Sequence, residues 1–388
     1  MFRRWSATTI FKAAGAGLAT AILCSCTGAA SAKNEIAQIL QQYHRNDKFS
    51  GAVLVGYGDT VVYEGAFGLA DETWKIANTS ATRFQIGSLT KQFTAALILE
   101  LAQQGRLNLD ATLSTYLPDY RRDVADAVTI RQLLGHSAGV PDFVRRSDIM
   151  QILKEPATPQ EVISKYCSNA FDFTPGTQFK YSNCGYLILG ALYERVTGET
   201  YADGLRRLTA CAGLTDTSIS GPRAIVPRLA TAYVVENGQR IKAPYIDWSV
   251  AFSSGAAYST VRDLWRWRGE LIGGRVLGEK AMREIFAIRP FGYSFGWHVG
   301  RTNQAKLGTF LASDYDAQPA PERANLLLAS HSGDLPGFHS CMTLFLDHTW
   351  TVILLDNHDS KSLPSLAAEI INSLLTRSPE ARSTSSAP

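Results

Sequence analysis

Cysteine, methionine and charge are all scarce in this 388-residue chain, and each shortage removes a class of function. There are 6 Cys and 4 Met, and charged residues make up 19% of the whole. No Cys-x-x-Cys pair occurs, and the 7 His show no His-Glu-x-x-His or other close ligand spacing. A structural or catalytic metal is therefore not expected, and no cofactor is implied. No run of basic residues is present, which argues against nucleic acid as a partner. Long apolar runs are missing too, since the uncharged stretch from Ala13 to Leu23 is too short to cross a bilayer. Internal repeats and coiled-coil heptads are absent.

What is present fits a globular enzyme-sized chain. A hydrophobic content of 45% is enough for one large core or two smaller ones. Residues 1–32 carry Arg3, Arg4 and Lys12, then the apolar stretch, then Ala30-Ser31-Ala32, the pattern of a secretory signal and its cleavage site. Arg3-Arg4 lacks the rest of a twin-arginine pattern. A competing reading is a lipoprotein signal, because Leu23-Cys24-Ser25-Cys26 resembles a lipobox, and membrane association is expected only if Cys26 is lipidated. Removing residues 1–32 takes three basic residues from 38 and no acidic ones from 35, which leaves a formally neutral mature chain. Four cysteines then remain, Cys167, Cys184, Cys211 and Cys341. An exported chain could form a disulfide among them, in a pairing that spacing alone leaves open.

Periodicity divides the chain into strands at both ends and helices between. Asn34 to Asp47 has a helical stripe, and valine-rich runs at Ser50 to Gly56 and Thr60 to Gly65 flank a turn. From Ser88 to about Leu271 the apolar spacing is mostly helical, broken by Gly and Pro. Strand patterns return at Phe291 to Val299, Asn325 to Ser330, His339 to Leu346 and Thr351 to Leu355, before a last helix at Leu363 to Leu375. The expected fold is α+β: an antiparallel sheet assembled from both termini and flanked by helices, with a large all-helical insertion. Its expected bounds are 33–87 and 285–376 for the sheet domain and 88–284 for the helical domain, with a cleft between them. Residues 377–388 read as a disordered tail.

Three signatures follow one another along the chain: Ser88-Leu89-Thr90-Lys91, Tyr181-Ser182-Asn183 and His331-Ser332-Gly333. A Ser-x-x-Lys pair places hydroxyl and amine on one helical face, so the amine can serve as base to the alcohol. Alone it is weak, since about one is expected by chance in a chain of this length, and Ser88 could simply cap the helix that follows. Tyr181 and Asn183 fall at a loop-to-helix junction, where a phenol can relay protons and an amide can hold a carbonyl. Packing and capping are their plainer roles. For the third signature His298-Val299-Gly300 and Lys306-Leu307-Gly308 compete, but the strand pattern leading into His331 favours His331.

Around these signatures the context becomes specific. Phe84 to Lys91, Leu133 to Asp142 (Leu-Leu-Gly-His-Ser-Ala-Gly-Val-Pro-Asp), Pro175 to Asn183 and His331 to Phe338 together resemble the serine β-lactamase, DD-peptidase and esterase superfamily, especially its class C-like branch. That resemblance implies Ser88 as nucleophile, Lys91 as base and Tyr181 as proton relay. It places Asn183 on the acyl side chain, and His331 and Gly333 on the opposite wall. An oxyanion hole would form from the backbone N–H groups of Ser88 and Asp334. The segment around His136 reads as architecture. Histidine at position 331, where many β-lactamases have lysine, favours a DD-peptidase-like, D-amino-acid peptidase or esterase activity over a dedicated β-lactamase. The expectation is an exported monomer acting on a small-molecule or peptide substrate. Two rivals stand beside it: a non-catalytic periplasmic binding protein of the same fold, and an α/β-hydrolase using Ser294 in Gly292-Tyr293-Ser294-Phe295-Gly296, a segment without the helix that chemistry requires.

Overall fold

The computed structural model describes residues 18–219, 221, 224–312, 324–346, 350–359 and 361–376, with side chains from residue 31 onward. Arg3, Arg4 and Lys12 of the expected leader, and the expected disordered tail at 377–388, lie outside the described residues. Seven strands form the main sheet: β1 (Gly51–Tyr57), β2 (Thr60–Phe67), β3 (Tyr293–Ser294), β4 (Trp297–Thr302), β5 (Leu326–Leu335), β6 (Phe338–Phe345) and β7 (Trp350–Asp356). Their order is β3-β4-β5-β6-β7-β1-β2, and every pair is antiparallel. The N-terminal hairpin thus closes onto the C-terminal strands, through Val53 opposite Leu354 and Leu54 opposite Ile353.

Alternation along each strand explains why the sheet is buried on both faces. Val53, Val55, Cys341, Phe345, Val352 and Leu354 point to one core; Ala52, Leu54, Met342, Leu344, Ile353 and Leu355 point to the other. Successive side chains in a strand take opposite faces, so both parities are apolar. The first core is closed by helix α1 (Leu18–Arg45), through Ile36 and Leu40, and by the C-terminal helix α5 (Leu363–Leu375), through Leu366, Ile370 and Ile371. Each of these aliphatic side chains contributes about 1.5–3 kcal/mol when fully buried.

Against the other face packs the middle block, whose central members are α2 (Thr90–Gln103), α3 (Asn183–Thr197) and α4 (Trp248–Gly255). All three are buried nearly all round, so they form the centre of the helical block rather than its surface. This block also carries a hairpin, Tyr233–Glu236 with Gln239–Lys242, and a small ribbon in which Phe84–Gln85 pairs with Ala257–Ser259. The strand expected over Phe291 to Val299 is interrupted. Phe295 and Gly296 take positive φ of 42° and 88° and turn the chain. A Cβ on Gly296 would meet the Gln92 Cα at 2.9 Å, so this turn presses directly on α2. Helix α1 begins well before Asn34, and α5 has the bounds read from its pattern. Among the described residues no helix is long and apolar enough to cross a membrane.

Candidate active site

Ser88 occupies a 3₁₀ turn, Gly87–Leu89, that runs straight into α2. Gly87 has φ +50°, and a Cβ there would lie 3.2 Å from both the Asp334 nitrogen and the Gly333 Cα. The position thus demands glycine twice over, for its dihedral and for the close approach of β5. Thr90 fixes the turn from inside: its Oγ1 donates to the Gly87 carbonyl (2.6 Å) and accepts from the Ala257 N–H (3.1 Å).

One helical turn on, the fully buried Lys91 brings its Nζ to 2.9 Å from the Ser88 Oγ. The same amine lies 2.8 Å from the Asn183 Oδ1 and 2.8 Å from the Ser254 carbonyl, and its Nζ sits 4.8 Å from the centre of the Tyr181 ring. The Ser254 carbonyl carries no side-chain signature and could not be read from sequence. It reaches the lysine because α4 breaks at Phe252 (φ 37°, ψ −129°), which turns the carbonyls of Ser253 and Ser254 toward α2; Thr94 Oγ1 donates to the first at 2.6 Å. A bulky residue in the left-handed region is strained, and here it lies two residues before the carbonyl that Lys91 meets.

Tyr181 and Asn183 enter from the start of α3. Ser182 caps that helix by accepting the Gly185 N–H, leaving the Asn183 side chain free of the capping role. The segment Leu133 to Asp142, read as architecture, supplies two residues that hold this signature. His136 Nδ1 accepts the Ser182 N–H at 3.1 Å, and the imidazole lies 4.2 Å, centre to centre, from the Tyr181 ring. Burial, followed by the nearby Lys91, holds the His136 pKa well below the usual imidazole range, so it is neutral. Asp142 accepts the Asn183 N–H on Oδ1 and the Asn183 Nδ2–H on Oδ2, both at 3.1 Å. A disulfide joins Cys167 to Cys184, the residue after Asn183, while Cys211 and Cys341 are not disulfide-bonded.

The third signature lies on β5. Gly333 allows this strand to touch the serine turn: a Cβ would fall 2.1 Å from the Ile86 carbonyl oxygen, and Ser340 Oγ, from the opposing strand, donates to that same oxygen at 2.8 Å. The backbone nitrogen of Asp334 is thereby placed against Gly87, next to Ser88. Asp334 pairs with His339 across the hairpin (3.1 Å), and His339 reaches Asp359 on its other nitrogen (3.0 Å). Although burial opposes it, the Asp334 hydrogen bond raises the His339 pKa. His331 is 1% exposed, and both its ring nitrogens are engaged within the protein. Nδ1 lies 2.7 Å from the Ser332 carbonyl and must carry the proton; Nε2 accepts from the Tyr293 hydroxyl at 3.0 Å. Burial, then His298 and Lys91, depresses its pKa, so this ring brings no positive charge to the site.

The competing residues lie elsewhere or are otherwise engaged. His298 sits on β4 behind His331, its ring 5.6 Å from that of His331. Lys306 ends an exposed 3₁₀ turn. Ser294 is fully buried on an edge strand, donating to the Glu284 carbonyl (2.8 Å) and accepting from Arg289 (3.0 Å). No helix follows it, so it is not the nucleophile elbow of an α/β-hydrolase.

A family model described as Beta-lactamase matches residues 36–374. Among curated proteins, the chain is 25% identical over 350 residues to "Penicillin-binding protein 4*" of Bacillus subtilis (strain 168), covering 84% of this chain and 72% of that one. Among solved structures, the penicillin binding protein from Bacillus halodurans superposes with a TM-score of 0.71 at 23% identity, covering 85% of this chain and 98% of that one. The D-amino acid amidase from Ochrobactrum anthropi SV3 gives 0.69 at 25% identity, covering 89% and 99%.

Proposed function

The chain belongs to the Beta-lactamase family, and we propose that it is a serine hydrolase that works through a Ser88 acyl-enzyme, acting on D-amino-acid peptides, amides or esters. The observation that carries this reading is the placement of Lys91 Nζ 2.9 Å from the Ser88 hydroxyl, in a fully buried position. Ser88 attacks the substrate carbonyl as Lys91 takes its proton, and Tyr181, at the same amine, returns a proton to the leaving group. The backbone N–H groups of Ser88 and Asp334 receive the developing oxyanion. Asn183 faces the acyl side chain, with His331 and Gly333 opposite, and water then releases the product. The uncharged His331 favours, within that class, amides and esters that bring no carboxylate to β5 over free-acid peptides, and it sets a dedicated β-lactamase second. Penicillin-binding proteins and a D-amino acid amidase among the similar structures agree with this ordering.

Export is part of the same proposal, because the leader-like pattern of residues 1–32 and the Cys167–Cys184 disulfide both suit an oxidising compartment. Mass spectrometry of the mature N-terminus separates cleavage after Ala32 from lipidation at Cys26. A fluorophosphonate probe and a fluorescent penicillin test the chemistry. Labelling that disappears in Ser88→Ala is the expected result. Labelling that persists there and disappears in Ser294→Ala identifies the other serine as nucleophile, and no labelling with either probe favours a binding protein of the same fold.

A further inference from the structure

We infer that Asp142 is a positioning residue that fixes which way the Asn183 carboxamide faces, and through it reserves the lone pair of Lys91 for the Ser88 proton. The inference rests on the acyl-enzyme reading above and extends it to a residue outside the three signatures.

A lysine ammonium has three N–H donors. Lys91 Nζ has Asn183 Oδ1, the Ser254 carbonyl and Ser88 Oγ at hydrogen-bond distance. When the amine is neutral it keeps two N–H groups and one lone pair. The Ser254 oxygen is a backbone acceptor that can only take a hydrogen. If Asn183 also presents an oxygen, both remaining N–H groups are committed, and the lone pair is directed at the Ser88 hydroxyl. A carboxamide, however, has an oxygen on one side and an NH₂ on the other, nearly identical in shape. Turned over, Asn183 would point two donors at the amine, which would then accept from Asn183 instead of from Ser88.

Asp142 decides between these two states. Its carboxylate, an acceptor on both oxygens when ionised, takes the Asn183 backbone N–H on Oδ1 and the side-chain Nδ2–H on Oδ2. The backbone contact anchors it, because that N–H cannot turn. The second oxygen then tolerates only the NH₂ edge of Asn183, which sends Oδ1 toward Lys91. Asp142 is itself held by the Val144 N–H at 3.4 Å, where it caps a 3₁₀ turn.

Replacing the carboxylate with its amide isostere isolates this effect. In Asp142→Asn the oxygen still suits the anchoring N–H, so the new NH₂ group faces Asn183 and favours the turned-over amide. Expected is a loss of about 100-fold in the second-order rate of Ser88 labelling, the scale of one misdirected general base, with the melting temperature close to that of the parent. Adding Asn183→Asp restores an oxygen on both edges. It should recover at least 10-fold of the lost rate, with the pH optimum displaced upward, because a carboxylate beside the lysine favours its charged form. The side-chain amide resonances of Asn183, read by NMR on the intact protein, give an answer that needs no turnover: in the parent one NH₂ proton is shifted by its bond to Asp142, and in Asp142→Asn that shift is lost. An unchanged labelling rate and pH profile in Asp142→Asn, or an unchanged Asn183 amide signal, overturns the inference. If the parent protein itself is not labelled, the acyl-enzyme reading fails, and the amide signal alone then decides whether Asp142 orients Asn183.

Discussion

Substituting Gly333 by alanine tests whether the oxyanion hole is shared between the serine turn and β5. A Cβ at this position would stand 2.1 Å from the Ile86 carbonyl oxygen, 2.4 Å from Ser340 Oγ and 2.9 Å from the Ile86 carbonyl carbon, where ordinary contacts begin at 3.4 Å. The serine hydroxyl group of Ser340 can rotate away, but Ile86 is backbone and immediately precedes the turn that holds Ser88. Relief therefore requires β5 and the turn to separate by about 1 Å, a displacement on the scale that costs about 100-fold when it falls on reacting groups. Losing one oxyanion donor outright costs about 100- to 1,000-fold in turnover, or about 2.7–4 kcal/mol of transition-state stabilisation. Gly333→Ala should therefore lower acylation by about 100-fold, with the KM for a small ester changing much less, because the oxyanion forms only in the transition state. The assay is stopped-flow labelling and ester hydrolysis on protein whose circular dichroism spectrum matches the parent. Wild-type acylation by Gly333→Ala would refute a hole built with the Asp334 N–H.

Acid should destabilise the fold before it titrates most carboxylates. His136 and His331 have folded pKa values below their unfolded value of about 6.5, so above that pH both states are neutral and nothing is lost. As pH falls below it the unfolded chain binds two protons that the native state refuses, and stability falls by about 2 kcal/mol between pH 6.5 and 5.5. His339 has the opposite sign: its raised pKa stabilises fully below the unfolded value and is lost as pH rises through the folded one. Denaturant titrations from pH 5.5 to 8.5 on His136→Gln and His339→Gln separate the two, and a flat acid limb in the parent refutes the first. The Cys167–Cys184 bridge spans 17 residues, a loop whose closure is worth about 3 kcal/mol. Reduction should lower the denaturant midpoint accordingly and slow Ser88 labelling as well, because the bridge anchors the turn that carries Asn183; equal labelling rates with and without the bridge would remove its link to the site.

Much of this architecture was legible because it depends on patterns that repeat along the chain. Strands with apolar residues at both parities, such as β6 and β7, and an amphipathic α5 are visible at any register. The pairing of Lys91 with Ser88 is equally local, since i and i+3 on a helix meet wherever the helix goes. What could not be read is contact made by backbone or by turns. The Ser254 carbonyl has no residue type to advertise it, and its orientation depends on one broken helix at Phe252. The edge strand breaks at Phe295 and Gly296 because they form a two-residue hairpin turn with positive φ at both positions, which an apolar run read as one strand conceals. Asp142 and His136 were in view, yet a carboxylate and an imidazole in a glycine-rich loop suggest turn chemistry as readily as support for a distant segment.

The neutral His331 ring bears on substrate choice. A fixed cation at that position would attract a substrate carboxylate 4 Å away by about 4 kcal/mol at the effective dielectric of a protein surface, and even half of that is about 30-fold in binding. His331 cannot supply it. Its proton sits on the nitrogen facing the Ser332 carbonyl, the other nitrogen is capped by the Tyr293 hydroxyl, and burial keeps the ring neutral. A charged carboxylate approaching β5 would thus give up its hydration without recovering an ion pair, whereas a carboxamide or ester gives up much less. Two acyl donors that differ only in a terminal carboxylate or carboxamide should then be turned over within about 10-fold of each other, or with the amide ahead. A preference of 100-fold or more for the carboxylate would require a cation at the cleft that His331, as held by Tyr293, does not provide.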